Sequence, residues 1–483
     1  MPWPSTPPPE GDGKEADSMA ETLTQPGGGL DMTQGRPISL IFRFSLPLLL
    51  GNLLQQVYNM VDSSVAGIFV GKAALSAVSA GYPIVFMLTS AFSGVSIGGT
   101  ILIAQYFGRR SYEDVYRTVR AVYFGITVVC VPLMVLGILG AKPLLELFLT
   151  PQDVLPHATT YVQVIFAGLI GGMIYNVNAG ILQGLGDSKS SLRFLAISCA
   201  VNVVLDLLFV AVVGWGVFGA SFATILAQGL SAWLGVRHIN RRYPFIHIRL
   251  FSRQVDMALV KKSLYLGIPS SISNLQYSIG MLVIQSIINS CGTDFMAGAG
   301  AAAKIDSFAF MPILSFSTAI TTYVGHNMGA GRLDRVRQGV HATLALSCGT
   351  CALMALIFVP LGRFIMSLFF GLGEDPAALD AGMAYLLRIM IPTPALAVLY
   401  VLNATLRGAG AAILPTVSGI VALWVVRVPA AYLLMDAFGP ENMFFSFVIG
   451  WTVGLIITGT AYLRGKWTRK SLFDPPPLGE ELL

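Results

Sequence analysis

Apolar stretches of about 20 residues or more recur from Leu40 to Tyr462, separated by short runs of Gly, Pro and charged residues. Cut at those breaks, the pattern predicts helices over 39–68, 76–106, 117–147, 157–184, 189–213, 216–239, 264–290, 297–327, 336–369, 379–408, 412–436 and 442–464. Each is long enough to cross a hydrocarbon layer about 30 Å thick. The expected fold is an all-α integral membrane protein with twelve transmembrane helices.

Polar residues interrupt this apolar background in an ordered way. In the first helix, LLQQVYNMVDSSVAG places Gln55, Tyr58, Asn59 and Asp62 on one face, a polar stripe ending in a carboxylate. The fifth helix carries Ser198, Asn202 and Asp206 at four-residue intervals, and the sixth adds Thr224. An ionised Asp in the membrane interior costs several kcal/mol, so each acid must find partners or keep its proton. Two carboxylates with amide and hydroxyl oxygens can trade a proton for Na⁺ or for a cationic substrate, because each makes the other's charge harder to hold alone.

The second half offers Asn274, Gln276 and Tyr277 in its first helix but no acid there. Asp306, two residues after Lys304, reads as pairing with a neighbour, and Arg427 reads as a buried cation that neutralises a carboxylate or reaches for the interface. Both are candidate contributors from that half. Pro392 and Pro394 predict a kink. His326, at a helix end, reads as structural.

Composition sharpens the class. The 483 residues are 54% hydrophobic and 11% charged, against roughly 25% charged in a soluble domain. Residues 1–37 differ, with Pro-rich and Gly-rich runs and no signal-peptide pattern, and read as a disordered, uncleaved tail. The five cysteines, Cys348 and Cys351 among them, lie in or beside apolar segments and read as packing residues. The net charge of +5 could suggest nucleic acid, but with a cytoplasmic N-terminus most Lys and Arg fall in cytoplasmic tails and loops, the bias of a membrane protein. Both termini are then cytoplasmic. The largest basic cluster, Arg237 to Lys262, marks a linker near 241–263 between halves at 38–240 and 264–466, with a second tail over 467–483.

The halves repeat. ILIAQYFGRRSYEDVYR matches TTYVGHNMGAGRLDRVRQ with Gly108 opposite Gly329, LQGLGDS around Gly184 parallels LRGAGAA around Gly408, and Pro47 corresponds to Pro269. Six helices per half give both repeats one orientation, so a pseudo-two-fold axis along the membrane normal relates two bundles around a central cavity. Such halves can rock in alternating access. The chain has no G-x-x-x-x-G-K-[ST], which leaves an ion gradient as the energy source. It has no H-E-x-x-H pattern of a zinc enzyme either.

At these residues the sequence resembles the multidrug and toxic compound extrusion (MATE) family. FSLPLLLGNLLQQVYNMVDSSVAG, NAGILQGLGDS, NVVLDLLF, VGHNMGAGRLDRVR, NATLRGAG and GWTVGLI follow the family's order from about Asp31 to Lys470. The resemblance implies V-shaped six-helix lobes and export of cationic, amphipathic drugs or metabolites against inward H⁺ or Na⁺, with no other cofactor. It implies that Asp62, Asn202, Asp206 and Thr224 form the cation-coupling site, the only place where a metal ion, Na⁺, is expected. Tyr58 and Asn178 would lie nearby, and the expected substrate cavity takes in Gln55, Tyr58, Asn59, Asn178, Gln276 and Tyr277. Members with a coupling acid in the seventh helix carry it where this chain has Gln276 and Tyr277, and the family's Gln in the eighth helix is His326 here. The expected partners are small molecules and the bilayer of the cell membrane, with no nucleic acid and a monomer as working unit. The alternative cargo is a lipid-linked oligosaccharide, whose diphosphate would need clustered Arg or Lys facing the cavity, and Lys304, Arg388 and Arg427 are scattered.

Overall fold

The computed structural model describes residues 28–148, 150–248, 255–370 and 376–469. In chain order its α-helices are α1 Pro37–Val65, α2 Lys72–Gly108, α3 Tyr112–Leu147, α4 Leu155–Ala167, α5 Leu169–Gly184, α6 Ser188–Asp206, α7 Gly216–Arg242, α8 Met257–Ser290, α9 Thr293–Gly329, α10 Leu333–Phe370, α11 Pro376–Met390, α12 Thr393–Gly408, α13 Ile413–Ile420, α14 Val428–Phe438 and α15 Phe445–Leu463. π-helical turns extend α1 (Ala66–Val70) and α6 (Leu207–Val212) and join α13 to α14 (Val421–Arg427).

Among the described residues eight helical stretches are long and apolar enough to cross a membrane, and the bent pairs α4–α5 and α11–α12 raise this to ten. The remaining two of the twelve segments are α2 and α8. Ser, Asn and Gln dilute the hydropathy of α8, and the reason is packing: α8 lies directly on α2. A Cβ on Gly98 would stand 2.0 Å from the Ser263 carbonyl oxygen, and one on Gly267 1.9 Å from that of Gly94. Ser263 Oγ donates to Val95 O at 3.2 Å, and Ser271 Oγ accepts from the Gly94 N–H at 2.9 Å. Small residues and hydroxyls let membrane helices approach where lipid gives no hydrophobic drive.

The predicted kink in the tenth span is present, a 47° bend between α11 and α12. Pro392 there lacks the N–H that would continue the ladder. The fourth span bends by 54° between α4 and α5, where Gly168 presses on Ile225; the sequence reading had one unbroken helix here.

Each half has its own packed interior, around Ile101, Val122, Ile126, Phe166 and Leu182 in the first and Ile305, Met366, Leu386, Met390 and Phe444 in the second. A third cluster joins Ile41 and Phe44 of α1 to Phe316, Ile320 and Tyr323 of α9. The opening helices thus lean across, α1 onto the second half and α8 onto the first.

The expectation of a disordered tail over 1–37 is corrected for its last stretch; residues 1–27, like 470–483 and 249–254 of the linker, lie outside the described residues. The Leu30 N–H donates to Gly186 O at 3.1 Å, and Met32 is fully buried with α9 and α10 residues. Asn327 Nδ2 donates to Met32 O at 3.0 Å, Arg332 Nη1 to Thr33 O at 3.1 Å and Arg335 Nη2 to Gly35 O at 2.8 Å. The Gly-rich composition that suggested disorder serves close approach: a Cβ on Gly29 would sit 2.1 Å from the Leu185 carbonyl oxygen.

Candidate cation site

The two halves are closed against each other at the end of the bundle that holds Gly108 and Gly329. Gln105 Nε2 of α2 donates to Gly408 O at 2.8 Å, and His326 Nε2 of α9 meets Gly184 O at the same 2.8 Å. In the repeat Gln105 corresponds to His326 and Gly184 to Gly408, so these are one bond made twice across the pseudo-two-fold axis. The backbones follow suit: a Cβ on Gly108 would be 2.0 Å from His326 O, and one on Gly329 1.8 Å from Gln105 O. His326 is fully buried and stays structural, while Gln105 was missed by the sequence reading although the alignment of IAQYFG with VGHNMG sets it opposite His326.

Deeper in the first half, the four residues expected to hold a cation come together from three spans. Asp62 is on α1, Asn202 and Asp206 are on α6, and Thr224 is on α7. The Asp62 and Asp206 carboxyls are close enough to interact electrostatically. Asp206 is fully buried and Asn202 is 1% exposed. The Asn202 amide lies between Asp206 and Thr224. In one orientation it donates to Thr224 Oγ1 at 3.4 Å; turned over, it donates to Asp206 Oδ2 at 2.8 Å and accepts from the Thr224 N–H at 3.2 Å, which satisfies both ends. Tyr58 Oη lies 3.4 Å from Thr224 Oγ1.

One oxygen of each acid, Asp62 Oδ1 and Asp206 Oδ1, is buried without a hydrogen-bonding partner. Two bare carboxylates at contact repel strongly in a low-dielectric interior, so the cluster suits one small cation, a proton or Na⁺, held among carboxyl, amide and hydroxyl oxygens. The α6 helix passes into its π turn directly after Asp206. Such turns free backbone groups and are frequent at functional sites.

The other expected residues divide. Gln55 Nε2 donates to Asn59 Oδ1 at 3.3 Å, on the same stripe as Tyr58 and Asp62. Asn178 is apart from them: it is 2% exposed, accepts from Tyr123 Oη and donates to Ala232 O at 2.8 Å, tying α5 to α3 and α7. In the second half, Tyr277 is 43% exposed, and the buried Gln276 Oε1 has no partner. Asp306 accepts from Tyr385 Oη at 3.2 Å, and Arg427 is buried against Phe447. Among the described residues no three His, Cys, Asp or Glu gather as ligands for a metal ion.

The sequence and the fold have counterparts among known proteins. The MatE family model matches residues 47–208 and 269–433, one block in each half. The probable multidrug resistance protein YpnP of Bacillus subtilis (strain 168) is 30% identical over 445 residues, covering 92% of this chain and 98% of YpnP. The probable multidrug resistance protein NorM of Thermotoga maritima is 25% identical over 451 residues, covering 89% and 93% of the two chains. A solved outward-facing conformation of a multidrug resistance MATE family transporter of the MOP superfamily shares the fold, with a TM-score of 0.84 at 22% identity over 93% of this chain and 100% of that one. The matched blocks, the repeat and the twelve-helix architecture agree: the chain belongs to the MatE family of membrane transporters.

Proposed function

We propose that this transporter is a secondary antiporter that expels small cationic or amphipathic compounds, drugs among them, in exchange for inward H⁺ or Na⁺. The observation that carries the reading is the Asp62–Asp206 pair, two acids from separate spans brought within electrostatic reach of each other beside Asn202 and Thr224. Relatives named as probable multidrug resistance proteins support the cargo class. The pair works as a single cation store. A cationic compound and the coupling ion compete for the same negative charge, so loading the ion on the outer side releases cargo there. One charge moved across 100 mV supplies about 2.3 kcal/mol, enough to drive accumulation roughly 50-fold.

The closed end, with its paired Gln105–Gly408 and His326–Gly184 bonds, is in this reading the cytoplasmic gate of a protein in the cell membrane. Residues 38–240 and 264–466 are the moving lobes of a monomer, 241–263 is their linker, and both termini are cytoplasmic. The test uses proteoliposomes loaded with a fluorescent lipophilic cation, with a pH gradient or a Na⁺ gradient imposed separately. Efflux driven by one of the two names the coupling ion; efflux that ignores both refutes the antiport.

A further inference from the structure

The segment that precedes α1 is fastened to both halves at the closed end. On the first half, the Leu30 N–H donates to Gly186 O at 3.1 Å, and the Gly29 backbone lies against Leu185, whose carbonyl oxygen a Cβ there would meet at 2.1 Å. Gly186 itself has a φ of 81°, and a Cβ on it would stand 2.6 Å from Leu30 O. On the second half, Met32 O, Thr33 O and Gly35 O accept from Asn327, Arg332 and Arg335, and Met32 is fully buried with α9 and α10 residues.

One residue, Asp31, lies between these two sets of anchors, and its Oδ1 holds a turn by accepting from the Thr33 N–H at 2.9 Å. Extended backbone gains about 3.5 Å per residue, so Leu30 and Met32 cannot be drawn more than about 7 Å apart. That is too short a leash for halves that must part to the width of an organic compound. One hold has to break. The two are unequal: the second half grips with three side-chain donors, two of them guanidinium groups whose charge strengthens the bond, and the first half offers one backbone bond and close backbone contact.

We propose that residues 28–35 are a latch on this end. They hold the halves together while it is closed, let go of Leu185 and Gly186 each time it opens, and ride with the second half. The latch rests on reading the closed end as a gate, and is independent of which ion drives the cycle.

The test is electron–electron distance measurement on the full-length protein in nanodiscs, in a cysteine-free background, with spin labels in pairs among the exposed Gln34, Lys189 and Arg337. Lys189 with Arg337 reads the gate, Gln34 with Lys189 the hold on the first half, and Gln34 with Arg337 the hold on the second. Gly29→Val drives a side chain into the Leu185 carbonyl, and Leu30→Pro deletes the bonded N–H. Each is expected to raise the open population of the gate roughly fivefold over wild type, the effect of one lost hydrogen bond. In that population Gln34 moves away from Lys189 and keeps its distance from Arg337. Gate distributions in both variants that match wild type overturn the latch. So does an open population in which Gln34 stays beside Lys189 or parts from Arg337. Efflux separates the two readings: strap release on opening in a protein whose efflux follows neither gradient removes the antiport and leaves the latch, whereas driven efflux with Gln34 fixed to the first half does the reverse.

Discussion

Gln105 and His326 are different side chains performing the same task at corresponding positions, each bonding at 2.8 Å to the glycine carbonyl that ends a bent span of the opposite half. An amide N–H and an imidazole Nε2–H both donate to a carbonyl, so the position asks for a donor of that reach and not for a titrating group. His326→Gln is therefore expected to leave the closed end intact, while His326→Leu opens it. Electron–electron distance measurements between spin labels at Arg110 and Leu333 read the difference: an unchanged distribution for the glutamine variant and a longer population for leucine. A leucine variant indistinguishable from wild type would remove this bond from the gate.

The glycine pair beside those bonds carries a stricter demand. A side chain on Gly108 or Gly329 meets backbone carbonyl oxygen of the opposite half at 2.0 or 1.8 Å, which no rotamer change relieves. Gly108→Val is expected to separate the halves and lower transport at least tenfold with little loss of insertion. The same label pair, read beside transport rate, checks both effects.

Arg335 holds the segment 28–36 across the closed end through Gly35 O at 2.8 Å and Asn327 Oδ1 at 3.2 Å. Its loss leaves the buried Asn327 Oδ1 unpaired, about 1–3 kcal/mol, and releases the exposed Gly35 carbonyl to water. In Arg335→Ala, amide exchange over residues 30–35 should rise at least tenfold while α3 and α10 keep their protection.

Asp187 caps α6 by accepting from the Ser190 N–H at 3.0 Å, and its Oδ2 lies 3.8 Å from His238 Nε2, an ion-pair distance. Burial pushes this carboxyl up, yet His238 and the Ser190 donors outweigh it and hold it below the ordinary carboxylate value. A depressed folded pKa gives stability that is present above the unfolded value of about 3.9 and lost as pH falls through the folded one. Asp187→Ala should cost about 1 kcal/mol at pH 7, and its thermal-unfolding midpoint should converge on that of wild type in acid.

The spans and their order were legible because a membrane protein writes its solvent into long apolar runs, and the meeting of Asp62 with Asp206 was legible because acids are costly where these two stand. The kink at Pro392 followed from its missing N–H. The bend at Gly168 did not, since a glycine in an apolar run gives no sign of Ile225 pressing against it. Residues 28–36 misled because composition reports what a segment can bury and not what it is clasped by; their order comes from Asn327, Arg332 and Arg335, three hundred or so positions away. Asn178 shows the converse. The family resemblance set it near the cavity, but its amide is consumed by Tyr123 and Ala232 inside one lobe.

The central claim is that the Asp62–Asp206 pair couples cation entry to export. It is tested most directly by gradient-driven efflux of a lipophilic cation from proteoliposomes containing wild type or Asp62→Asn side by side. Asparagine keeps the shape but removes one charge, so the variant should insert and fold normally while driven efflux falls to the protein-free rate. Driven efflux by Asp62→Asn at the wild-type rate would contradict the account and take Asp62 out of the mechanism.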